Sequence, residues 1–75
     1  METIHIVQPF ARARASLVPA AAQQFSSPDA AATRAEVIAP QYAGVVAYSM
    51  DVDEAGGEYG TPRILFRKGD VPDLD

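Results

Sequence analysis

Six consecutive residues, Val45-Val46-Ala47-Tyr48-Ser49-Met50, constrain this chain more than any other feature. Extended, they place Val45, Ala47 and Ser49 on one side and Val46, Tyr48 and Met50 on the other. Both sides are largely apolar. A strand with one wet face alternates apolar with polar residues, so this stretch predicts cover on both faces. The rest of the chain has little to cover it with. Of 75 residues 48% are hydrophobic, yet 14 of those 36 are alanine and only 22 carry a larger apolar side chain. A domain of this size buries only ~60% of the surface its unfolded chain exposes. The expectation is one small domain over 1–75, with a core marginal enough that a partner would complete it.

Thr3-Ile4-His5-Ile6-Val7-Gln8 alternates and is rich in β-branched residues, which predicts a strand ended by Pro9. Phe10 to Ala15 reads as an exposed connection. In Ser16 to Phe25 a strand would have to tolerate Pro19, which confines it to an edge or demands a bulge. Ser26-Ser27-Pro28-Asp29 is a helix start: Ser27 caps free amides, Pro28 suits the first helical position, and Asp29 complements the dipole. The helix runs on with Ala31, Ala35 and Ile38 as its apolar stripe, continued by Tyr42, and Pro40 should end or distort its last turn. Gly44 is a candidate left-handed residue at that junction. Val45–Met50 and Arg63–Lys68 flank a loop rich in glycine and acid, the pattern of an antiparallel hairpin. The polar stretch 69–75 reads as a frayed acidic tail. The expected architecture is α+β: a small antiparallel sheet of three to four strands in the order ββαββ, with one helix packed on one face.

Chemistry-bearing constellations are sparse. His5 is the lone histidine and there is no cysteine, so no His-based or thiolate metal cluster is expected. Asp51, Asp53 and Gly56 match the first, third and sixth positions of a calcium-binding loop. However, Ala55 and Pro62 stand where an oxygen ligand and the closing glutamate belong. Gly56, Gly57 and Gly60 precede no helix and no Gly-Lys-Ser/Thr, and so form no phosphate loop. Serines 16, 26, 27 and 49 lack a histidine within any recognisable motif. No catalytic residue, cofactor or metal ligand is expected, and the reading is non-enzymatic.

Net charge is −4 with a sequence pI near 4.7, which disfavours general nucleic-acid binding. Arg12 and Arg14 beside Phe10, with Arg63 and Arg67, are the candidate anion contacts. No apolar run near the start resembles a secretory signal, so the cytoplasm is expected, and no membrane span is. Either the segment Phe10–Phe25 folds over the second face of the Val45–Met50 strand, or a second copy or one protein partner covers it. The partner reading is preferred, with Phe10, Val46, Tyr48 and Leu65 as candidate interface residues.

Four stretches, Val7-Gln8-Pro9-Phe10, Gly44-Val45-Val46-Ala47-Tyr48-Ser49, Gly57-Glu58-Tyr59-Gly60 and Gly69-Asp70-Val71-Pro72, carry a resemblance. With them the chain resembles a family of short uncharacterised bacterial proteins, chiefly alphaproteobacterial. The resemblance implies a cytoplasmic bacterial protein and transfers no activity, cofactor or site residue. Pro40 departs from what a helix end would carry.

Overall fold

Alternation and β-branching do start a strand at the N-terminus, but it does not stop at Pro9. In the structure, a computed structural model that describes residues 2–53 and 55–72, β1 runs through it from Glu2 to Ala13. A two-residue turn at Arg14 and Ala15 sends the chain back antiparallel as β2 (Ser16–Pro19). After an interruption, β3 (Gln23–Phe25) resumes along the same edge of β1. Phe10 opposes Pro19 whereas Val7 opposes Gln23, so the edge takes up one extra residue in the interruption.

That interruption explains how proline sits within an interior strand. The Pro9 carbonyl accepts from the Ala20 amide at 3.0 Å. In an antiparallel pair of this kind the two residues exchange both bonds, so the reciprocal donor should be the Pro9 N–H, which does not exist. The Gln8 side chain supplies it instead. Its Nε2 donates to the Ala20 carbonyl at 2.7 Å and to the Pro9 carbonyl at 2.8 Å.

Among the described residues one α-helix, α1, spans Pro28–Ile38, and its cap is the one the sequence announces: Ser27 Oγ accepts from the Ala30 amide at 3.1 Å. Ala31, Ala35 and Ile38 form its buried face against Val7, Val45 and Ala47, and Phe25, Tyr42, Leu65 and Phe66 pack around them. Alanine on that face lets the helix lie close to the sheet. Each fully buried valine beneath it contributes roughly 1.5–3 kcal/mol of burial free energy. Pro40 falls in a turn of 3-10 helix at Ala39–Gln41 that ends the helical run.

β4 (Gly44–Asp53) then pairs antiparallel with β1, as Ile6 opposes Tyr48 and His5 opposes Ser49. Its other side pairs with β5 (Glu58–Tyr59) and β6 (Arg63–Gly69), both antiparallel. A bulge separates Phe66, opposite Ala47, from Ile64, opposite Tyr48, and leaves Leu65 as the extra residue.

Among the described residues the result is a curled antiparallel sheet of six strands with one α-helix, an α+β fold. The expectation of three to four strands in the order ββαββ is corrected to six in the order βββαβββ. Pro19 and Pro62 stand at the breaks that divide each outer edge into two short strands. Two local readings also change. Phe10–Ala13 belongs to β1 and is no connection. Gly44 is not left-handed; the left-handed residues among those described are Arg14, Gly57 and Gly69. Within the expected tail, Gly69 ends β6, the Asp70 amide donates to Ala43 O at 2.9 Å, and Arg67 Nη2 donates to Val71 O at 3.0 Å. Residues 73–75 of the expected tail lie outside the described residues.

Candidate functional site

Directly opposed residues of an antiparallel pair share a face, so the register sorts the sheet into two surfaces. Val7, Val45 and Ala47 point to the helix. Ile4, Ile6, Phe10, Val46, Tyr48, Met50 and Val52 point the other way. Among the described residues no helix lies over that second surface. Its centre is nonetheless dry: Val46 is 0% exposed and Phe10 8%. Ile4, Ile6, Tyr48 and Met50 are half-buried, and Ile64, opposite Tyr48, is 49% exposed.

Of the candidate interface residues, Phe10, Val46 and Tyr48 lie together on this surface. Leu65 does not. As the extra residue of the β6 bulge it packs with Phe66 against the helix-side core. Its neighbour Ile64 takes the place on the helix-free side. The segment Phe10–Phe25 does not fold over the second face either; it lies in the plane of the sheet as the end of β1 and the β2–β3 edge.

The four candidate arginines are dispersed. Arg12 and Arg67 line one open cleft of about 580 Å³ at the end of the helix-free surface, with Leu17, Val71 and Pro72 as its apolar walls. Arg12 forms an ion pair with Asp70 there. Arg63 stands at the other end of β6, its Nη1 3.5 Å from Asp51 Oδ2. Arg14 occupies the β1–β2 turn with φ of 60°.

A polar ladder that sequence reasoning missed crosses the helix-side face, one step along the strands beyond Val7 and Ala47. His5 Nδ1 lies 2.7 Å from Ser49 Oγ, with the donor set by the imidazole tautomer. Thr3 Oγ1 donates to Asp51 Oδ1 at 2.7 Å. This hydroxyl, and secondarily the Arg63 guanidinium, hold the Asp51 carboxyl below the ordinary aspartate range. A serine–histidine pair invites a nucleophile reading. Here Ser49 is only 3% exposed, and Asp51 is engaged by Thr3 and Arg63 instead of orienting the imidazole. The pair works as a cross-strand bond between β1 and β4. Its signal was present in the sequence as Thr-x-His in one strand and Ser-x-Asp in the other, which align once the two are paired antiparallel.

The acidic turn forms a pocket of about 190 Å³ lined by Asp51, Asp53, Glu58, Tyr59 and Gly60. Among the described residues no group of three or more acidic or histidine side chains could hold a metal ion. Nor is any helix among them long and apolar enough to cross a membrane. Compared with protein-family models, with curated proteins and with solved structures, the chain matches none.

Proposed function

We propose that the protein is a non-enzymatic interaction module of the bacterial cytoplasm that uses the helix-free face of its sheet to bind a second copy of itself or one protein partner. One observation carries this reading: the α-helix among the described residues is spent on the opposite face, while half-buried Ile6 and Tyr48 and exposed Ile64 form an apolar patch over the buried Val46 without a helical cover. Contiguous apolar surface of this kind marks interaction sites. The test is the mass of the full chain by sedimentation equilibrium from micromolar to millimolar concentration, alongside a Tyr48→Glu variant. A mass above the monomer that Tyr48→Glu returns to the monomer, with an unchanged circular dichroism spectrum, supports the reading. A monomer throughout, with no protein retained from a native lysate, overturns it.

Binding of an anionic ligand is the second reading, favoured by the shared cleft of Arg12 and Arg67. It ranks lower because Arg12 and Arg63 already carry acidic partners, Asp70 and Asp51. Such binding would weaken steeply with added salt.

A further inference from the structure

We infer that the occupant of the helix-free face is a second copy of this chain, laid with its strands antiparallel to the first, so that Glu2 of each copy meets Arg12 of the other. The inference rests on the self-association reading above and adds an orientation to it.

The argument begins with where charge sits on that face. Glu2 and Arg12 both project from β1 on the helix-free side, at its two ends, and both are exposed. Ten strand steps put them roughly 33 Å apart. Between them lie Ile4, Ile6, Gln8 and Phe10 in β1 and Val46 and Tyr48 beside them in β4, with Gln24 opposite Ile6 and Arg67 opposite Val46 on the flanking strands. The face is therefore largely apolar along its middle, with an acid, Glu2, at one end and two bases, Arg12 and Arg67, toward the other.

Two copies can pack sheet on sheet about a two-fold axis in only two aligned ways. An axis along the strands sets Arg12 over Arg12 and Glu2 over Glu2, which juxtaposes like charges. An axis across the strands reverses one copy and sets each Glu2 over an Arg12. Electrostatic complementarity selects the second and fixes its register, since the apolar strips then coincide about the level of Val7. The Arg12 guanidinium has five N–H donors. Asp70 engages Nη2, and the side chain stays 48% exposed, so it can accept a second carboxylate. Size is adequate as well: the molecule measures 40 by 24 Å along its longer axes, and a standard interface buries about 800 Å² per partner.

Charge reversal tests the orientation with the full chain. Glu2→Arg alone and Arg12→Glu alone should each raise the dimer dissociation constant on the order of tenfold at low salt, since every dimer holds the pair twice. Mixing the two single variants restores opposite charges at both ends, so the heterodimer should form with about wild-type affinity and outcompete either homodimer. The mixing arm guards against damage from losing the Arg12–Asp70 pair. If the wild-type chain dimerises but neither single reversal weakens the dimer, the orientation is wrong while self-association stands. This holds whatever the mixture does, because the two variants pair opposite charges in either alignment. A chain that stays monomeric at millimolar concentration overturns both.

Discussion

The side-chain amide of Gln8 donates to the carbonyl of Ala20 at 2.7 Å, making the ladder bond that the neighbouring Pro9 cannot make. One residue thereby repairs the sheet at the point where the next one breaks it. Gln8→Ala should cost about 1–3 kcal/mol, because it strips the Ala20 carbonyl of its donor at a partly buried site. In a Pro9→Ala background the backbone N–H returns, and the same substitution should cost much less. Urea denaturation of the four-member cycle measures the coupling; strictly additive costs would refute the repair.

Gly44 and Gly69 oppose each other where β4 and β6 meet. A Cβ at Gly44 would lie 1.9 Å from the Asp70 carbonyl oxygen, and one at Gly69 would lie 2.3 Å from that of Ala43. Backbone cannot swing aside as a side chain can, so either alanine should cost at least about 2 kcal/mol. Gly57 shares the positive φ of Gly69, at 67° against 78°, but a Cβ there would meet nothing within 4 Å. Gly57→Ala should cost only about 1 kcal/mol, from backbone strain alone. Thermal or urea denaturation should show Gly44→Ala and Gly69→Ala each costing more than Gly57→Ala.

Arg14 holds φ of 60° in the β1–β2 turn, a region that favours glycine. Arg14→Gly should therefore raise stability by up to about 1 kcal/mol, and a β-branched Arg14→Val should lower it. A loss of stability in Arg14→Gly would mean that the side chain matters more than the turn.

Asp51 makes a pH-dependent contribution whose sign is fixed. Its native pKa is depressed, chiefly by the Thr3 hydroxyl, so its stabilisation is present above the unfolded-state value of about 3.9. It is lost as pH falls through the lower native value. Thr3→Val should therefore be most destabilising near neutrality, and its deficit should shrink in acid. Urea midpoints from about pH 7 down to about pH 2 read this directly; a deficit that does not change with pH would assign the loss to packing.

What the sequence makes legible here is local. Ser27-Pro28-Asp29 and the alanine stripe mark the helix because a cap and a helical period are short-range signals. The two-sided strand marks the centre of the sheet for the same reason. What stays hidden is pairing. Nothing near His5 in the chain points to Ser49, and Pro9 reads as a strand end until Gln8 is seen to stand in for its missing donor. Leu65 reads as an alternating residue until a bulge turns it to the helix side. Proline and bulge effects depend on what the neighbouring strand offers, and short-range patterns do not carry that information.

The central pair of this sheet joins partners far apart in the chain, His5 and Ser49 being 44 positions apart. Loop closure must come before that pairing brings any return, so such a domain folds slowly for its length. During synthesis β1 can form its hairpin with β2, and α1 can nucleate behind its cap. The sheet cannot assemble around its middle until β4 has emerged. The strand whose two apolar faces dominate the amino-acid sequence is thus also the one whose arrival sets the time of folding.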